Sequence, residues 1–291
     1  MILDGKHHAQ LLLATLKDEC ASLTKRFERT PSLHVILVGQ IPSSQIYVGM
    51  KEKRAHDIGI KSVVHRLPDT VDEKAVLTLI STLNHNQDVD GILVQLPLPA
   101  HIDTNNVIES ICPQKDVDGL TSINLGRLVR GDEYLIPCTP RGCLHLIHAW
   151  KQDISGLHAV VVGRSALVGK SLALLLTGRD ATVTLCHSKT INLAAFTQQA
   201  DIVVAACGMP GLITGNHIKP GACVIDVGIN RRPDGTLTGD VEFNTAHPIA
   251  DAITPVPFGV GPMTVAYLMA NTLRAMQQRL SGMAYITPPL H

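Results

Sequence analysis

The sequence is poor in aromatic residues, 3% of its 291 positions with a single Trp, and it carries no excess charge of either sign. Lys+Arg 25 balance Asp+Glu 25, so nothing favours nucleic acid or an anionic membrane as the main partner, and any anion site must be local. Its 7 cysteines include no Cys-x-x-Cys pair. Cys138 and Cys143 come nearest and lack the spacing of a zinc half-site. Of 14 histidines, only His7/His8 and His145/His148 cluster, with no Cys or carboxylate ligands beside them, which argues against a metal centre. No run approaches the roughly 18 apolar residues of a spanning helix. Residues 1–8 lack the continuous apolar segment of a secretion signal. These absences lead to the expectation of a cytoplasmic protein with reduced thiols that binds no metal, nucleic acid or membrane.

What is present is a globular composition, 45% apolar and 17% charged, over a length that favours two domains. Leu11, Leu12, Leu16 and Leu23 space out a first helix that ends before Thr30-Pro31. Residues 34–39 then read as a buried strand, followed by a helix stopping at Gly59, a strand at 63–67, a helix at 72–83 and a strand at 91–96. This βαβαβ alternation predicts a parallel sheet with crossover helices. Pro137-Cys138-Thr139-Pro140 marks a boundary and opens a helix from about 142 to 150. The alternation then restarts with strands at 158–163, 181–185, 200–206 and 222–228, a four-strand series whose first helix opens at Gly169. A long last helix crosses back to brace the first lobe. The expected architecture is α/β with two lobes: a catalytic domain of residues 1–140 plus the helix at about 263–285, and a Rossmann-like domain of residues 141–262.

On the first helix after a strand, Tyr47 and Lys51 lie one turn apart on the same face. Such a pair suits either a surface Lys resting its stem on a Tyr or a pocket in which an ammonium shielded from water has its pKa lowered and transfers protons. Gln95 stands at the end of a strand, where ligands collect in open α/β sheets, directly before Pro97-Leu98-Pro99. Lys115-Asp116-Val117-Asp118-Gly119 places two carboxylates on a turn, where Asp and Gly are expected for backbone reasons alone.

Gly163-Arg164-Ser165-Ala166-Leu167-Val168-Gly169-Lys170-Ser171 imitates a P-loop, but five residues rather than four separate its glycines. Nor does a persuasive hydrophobic strand ending in an Asp for magnesium accompany it. A dinucleotide loop fits better, with Ser165 at the second position of the Gly-x-Gly-x-x-Gly pattern and helix amides presented to a pyrophosphate. Where NAD sites carry an acid for the ribose hydroxyl, this chain has Cys186-His187-Ser188-Lys189-Thr190, while Arg164 sits in the loop. A 2′-phosphate finds a cation and donors there, so the residues favour NADP over NAD.

Taken together, the chain resembles the bifunctional methylenetetrahydrofolate dehydrogenase/cyclohydrolase family over almost its whole length. The resemblance rests on Ser44-Gln45-Ile46-Tyr47-Val48 with Lys51, on Gly91-Ile92-Leu93-Val94-Gln95-Leu96-Pro97-Leu98-Pro99, and on Lys115-Asp116-Val117-Asp118-Gly119. It continues through Pro137-Cys138-Thr139-Pro140, Gly163-Arg164-Ser165, Val224-Ile225-Asp226-Val227-Gly228-Ile229-Asn230 and Gly261-Pro262-Met263-Thr264. It implies that Lys51 is the central catalytic group assisted by Gln95, that Tyr47 stacks along a tetrahydrofolate substrate, that Asp118 binds the pterin edge, and that Pro257 lies against the substrate. For NADP it implies Thr139, Gly163, Arg164, Ser165, Ser188, Ile229 and Thr264. It also implies a homodimer, with the folate in a cleft between lobes. Two positions depart from the pattern. Ser171 stands where the family usually has Pro, and Phe258 replaces the first Gly of a usual Pro-Gly-Gly-Val-Gly-Pro block, which opens the alternative of a dehydrogenase with impaired cyclohydrolase activity. A P-loop NTPase is the remaining rival.

Overall fold

The computed structural model describes residues 1–281. In chain order the elements are α1 (Gly5–Phe27), β1 (Ser32–Val38), α2 (Pro42–Ile58), β2 (Lys61–Leu67), α3 (Glu73–His85), β3 (Gly91–Val94), α4 (Thr104–Glu109) and α5 (Ser122–Val129). Then come α6 (Cys138–Trp150), β4 (His158–Val162), α7 (Ser171–Thr177), β5 (Thr182–Cys186), α8 (Leu193–Thr197), β6 (Ile202–Ala205) and β7 (Cys223–Asp226). A small hairpin of β8 (Asn230–Arg231) and β9 (Leu237–Thr238), α9 (Phe243–Ala246), β10 (Ala252–Ile253) and α10 (Val260–Leu280) complete them. The part of the expected last helix beyond residue 281 lies outside the described residues. Among the described residues no helix is long and apolar enough to cross a membrane.

The chain forms two compact units. One comprises Leu11–Ile136 and residues 265–281; the other comprises Met1–Gln10 and Pro137–Thr264. In the first unit β2-β1-β3 form a parallel sheet. Alternation puts Ile36 and Val38 of β1 and Ile92 and Val94 of β3 on one face, packed against Val76, Ile80 and Leu83 of α3. The segment after α4 adds a parallel bridge, Ile92 to Asp116. The late part of α10 holds this segment, because buried Asn271 donates from Nδ2 to the carbonyls of Val117 (2.8 Å) and Ile136 (2.9 Å). Arg279 and Arg29 both pair with fully buried Asp90, at 3.0 and 2.6 Å.

In the second unit five parallel strands run in the order β10-β7-β6-β4-β5. The four-strand series expected from sequence is thus extended by β10, whose two residues are too few to show a period, and Ile2 bridges to Ile253 at that edge. Strand order reverses between β4 and β6, which makes their C-terminal ends the crevice in which doubly wound sheets bind ligands. The α6 helix begins at Cys138, four residues earlier than expected, because a Pro in the first turn costs no intrahelical hydrogen bond.

Candidate active site

Two constellations form, one in each unit. In the first, Pro42 opens α2 at a position where its missing N–H is not needed, and Gly59 ends it in the left-handed conformation with φ 92°. Ser44, Val48, Ala55 and Ile58 form its buried stripe, which leaves Tyr47 and Lys51 half-buried on its flank. Burial raises the pKa of the Tyr47 phenol, keeping it neutral. Lys51 Nζ donates to Gln95 Oε1 at 2.9 Å. Gln95 follows β3 directly, and its Nε2 donates to the Leu96 carbonyl at 2.8 Å, so its oxygen is the atom left to face the ammonium. The pair therefore ties α2, the helix that follows β1, to the exit of β3, and the sheet reverses strand order between those two strands. The Gln95 amide oxygen, a neutral acceptor, orients Nζ at this strand exit.

The two Asp residues of the following turn differ in burial. Asp116 is buried and accepts from Gly119 N (3.0 Å), Thr121 N (2.8 Å) and Asn124 Nδ2 (2.9 Å), so it serves the turn itself. Asp118, two residues on, is half-buried. Lys115 is buried too and donates to the carbonyls of Leu83, Asn84 and Asn86 at 2.9, 2.8 and 2.7 Å, closing the C-terminal end of α3. Burial pulls its pKa down to about 8.

In the second unit Gly163 leaves β4 with φ 131°, and a Cβ there would collide with the Ala206 carbonyl at the exit of β6. A Cβ on Gly169 would collide with the Gly163 carbonyl. The two glycines thus let the loop fold back on itself and onto the neighbouring strand exit. The helical turn begins at Ala166, earlier than expected, as a π-turn capped by Ser165 Oγ, which accepts from Val168 N at 3.2 Å. Ser171 follows the turn as the first residue of α7, and its hydroxyl donates back to the Ala166 carbonyl at 2.5 Å. Arg164, Ser165 and, past the end of β5, Ser188 are exposed at the same edge of the sheet, and Ile229 is exposed past the end of β7. Thr139 at the start of α6 and Thr264 in α10 share a hydrogen bond of 3.0 Å, and α6 packs against the 166–170 turn. Pro257 is exposed beside Phe258, whose φ is 81°.

The sequence reading missed two features. A hydrophobic strand ending in Asp does exist, β7, but the Asp226 carboxylate is spent on the backbone N–H groups of Gly228, Asp240 and Val241 and offers nothing to a cation. The loop after β6, residues 206–210, also borders the crevice through the Ala206 carbonyl; its signal is the turn dipeptide Pro210-Gly211 after an apolar run. The two His clusters meet through His8 and His145, ring centroids 5.6 Å apart, and burial lowers both pKa values. Among the described residues no group of three or more His, Cys, Asp or Glu is placed to hold a metal ion.

The glycines, the exposed Arg164 and the lack of an acid after β5 fit a dinucleotide with a 2′-phosphate. The chain matches the tetrahydrofolate dehydrogenase/cyclohydrolase catalytic domain over residues 3–118 and the NAD(P)-binding domain of the same family over residues 137–280. It is 49% identical over 285 residues to the "Bifunctional protein FolD" of Campylobacter curvus, covering 98% of this chain and 99% of the relative. The crystal structure of the bifunctional enzyme FolD, methylenetetrahydrofolate dehydrogenase/cyclohydrolase, from Campylobacter jejuni superposes with a TM-score of 0.93 at 44% identity, covering 96% of this chain and 99% of that one. The Trypanosoma brucei N5,N10-methylenetetrahydrofolate dehydrogenase-cyclohydrolase, solved with NADP cofactor and inhibitor, gives a TM-score of 0.92 at 38% identity, covering 96% and 98%.

Proposed function

We infer the roles of individual residues from one premise: the chain belongs to the tetrahydrofolate dehydrogenase/cyclohydrolase family. It is a bifunctional enzyme, an NADP-dependent methylenetetrahydrofolate dehydrogenase and methenyltetrahydrofolate cyclohydrolase. The first half-reaction converts 5,10-methylenetetrahydrofolate to the methenyl cation; the second adds water and opens the ring to 10-formyltetrahydrofolate.

The observation that carries the assignment of residues is the 2.9 Å bond from Lys51 Nζ to Gln95 Oε1 beside the Tyr47 ring. When bound, NADP supplies the hydride acceptor for the first step. Lys51 as the neutral amine then takes a proton from the adding water and, as the ammonium so formed, returns it to the departing ring nitrogen, with Gln95 Oε1 accepting from Nζ and fixing its position. Tyr47 offers a neutral face for a flat substrate. The Asp118 carboxylate suits the amino and N–H donors of a pterin edge, and Pro257 suits contact with its apolar surface. Thr139, Gly163, Arg164, Ser165, Ser188, Ile229 and Thr264 form the NADP site, Arg164 and Ser188 toward the 2′-phosphate and the helix-entry amides after Gly163 toward the pyrophosphate.

In this reading residues 1–140 with the last helix carry the folate chemistry, and residues 141–262 carry NADP. The enzyme works as a cytoplasmic homodimer whose formyl product feeds purine biosynthesis. The family resemblance supports these points. A coupled assay tests the function: purified protein with methylenetetrahydrofolate and NADP should produce NADPH and consume added methenyltetrahydrofolate without NADP. ATP turnover with no folate oxidation would refute it, and accumulation of methenyltetrahydrofolate would favour the dehydrogenase-only alternative raised by Phe258.

A further inference from the structure

The sharpest unexplained feature is a pair of buried carboxylates behind the nucleotide crevice. Asp240 is 0% exposed and Asp226 is 4% exposed. Asp240 Oδ2 accepts from Cys207 N at 2.7 Å and Gly208 N at 2.8 Å, and its Oδ1 accepts from Asn230 Nδ2 at 2.9 Å. Asp226 Oδ1 accepts from Gly228 N and from the N–H of Asp240 itself, at 3.0 and 2.9 Å, and its Oδ2 accepts from Val241 N at 3.0 Å. These partners are amides, and the arrangement is built tightly around them. A Cβ on Gly228 would collide with Asp240 Oδ1, and one on Gly239 would collide with Asp226 Oδ2.

The loops so tied are the exits of β6 and β7. The first abuts Gly163 of the nucleotide loop through the Ala206 carbonyl. Each carries an exposed apolar side chain, Met209 at 52% and Ile229 at 49%. A buried charge spent entirely on two loops at the strand-order reversal fixes where those loops stand.

We propose that Asp240, seated by Asp226, is a positioning residue for NADP binding: it holds the Cys207–Gly208 backbone and the Asn230 side chain, while Asp226 holds the Gly228 N–H, so that Met209 and Ile229 form apolar walls for the nicotinamide end of the cofactor. The proposal rests on the NADP reading of this unit. Asp240 touches no ligand; it acts through the loops.

The test compares NADPH affinity, read by the fluorescence of bound NADPH, with the cyclohydrolase step, which uses no cofactor and serves as an internal control. NADPH binding by the wild type is measured first; its absence would overturn the NADP reading, and with it this proposal. In D240A the Cys207 and Gly208 amides lose their acceptor, and NADPH should bind about tenfold more weakly or worse while cyclohydrolase stays within about twofold. D240N should recover to within about threefold of wild type, because its side-chain amide keeps an oxygen on the two backbone N–H groups and Asn230 can turn its own oxygen toward the new NH2. Wild-type NADPH affinity in D240A, or parallel loss of NADPH binding and cyclohydrolase, overturns the proposal. If D240A does not fold, D240N and D240N/N230L decide: the double variant leaves the new NH2 unpaired and should bind NADPH about tenfold more weakly than D240N, and equal affinity overturns the proposal.

Discussion

Phe258 sits at φ 81°, a left-handed backbone conformation, and the residue is 58% exposed. It is held from below, since its carbonyl accepts from Lys6 N at 3.0 Å and the Lys6 ammonium stands 5.7 Å from its ring centroid. Two substitutions separate the backbone from the ring. Phe258→Ala removes the ring contacts, worth about 1–2 kcal/mol for a partly buried ring with an exposed cation over it, and keeps the strained backbone. Phe258→Gly loses the same contacts but relieves about 1–2 kcal/mol of left-handed strain. Against that stands the greater freedom of Gly in the unfolded chain, about 0.5–1 kcal/mol. The Gly variant should therefore be more stable than the Ala variant by about 0.5–1 kcal/mol, about 2 °C in Tm for a chain of this size. Urea midpoints at equal m-values measure it directly. An Ala variant equal to or more stable than the Gly variant would show that the backbone at 258 is not strained and would refute the reasoning.

Three further outcomes follow from the geometry. Lys51→Met should lower cyclohydrolase turnover by about 10²–10⁴-fold in a protein that still binds NADPH; unchanged hydrolysis removes Lys51 from its role. Arg164→Ala should weaken NADP by about tenfold or more while leaving NAD nearly unaffected, and competition assays with the two dinucleotides distinguish this from equal weakening, which contradicts the phosphate assignment. His34 donates to or accepts from His65 at 2.9 Å, and burial first, then His65, Lys61 and Lys115, pull its pKa down to about 4. A base depressed in the fold adds stability that is present above pH 6.5 and lost as pH falls toward 4, because the unfolded chain takes up the proton first. Between pH 7 and 5 this amounts to about 1–2 kcal/mol, so thermal melts of His34→Gln should show a shallower acid decline than wild type; parallel curves would discard the mechanism.

Much of this was legible in the sequence where local chemistry and tertiary demand agree. Gly59 ends α2 as expected because only a residue free to adopt positive φ suits that cap. The apolar run before Gln95 is strand because it is buried on both faces. What escaped has a long-range cause. Asp116 is claimed by Thr121 and Asn124, which a motif does not reveal. Asp226 was passed over because its partners, Asp240 and Val241, lie on the far side of a hairpin. Strand β10 is specified by its neighbour β7 rather than by its own two residues.

Neither compact unit is continuous in sequence. The one containing Pro137–Thr264 also needs Met1–Gln10, and the one containing Leu11–Ile136 also needs residues 265–281. A ribosome making this chain must therefore release nearly all of it before either unit can close, since the first residues wait for Ile253 and Asp90 waits for Arg279. Early contacts of such long reach slow folding and leave apolar strands exposed meanwhile. A gene divided at the 136/137 boundary would yield two fragments, the first without the Arg279 partner of Asp90 and the second without the Ile2 bridge to Ile253.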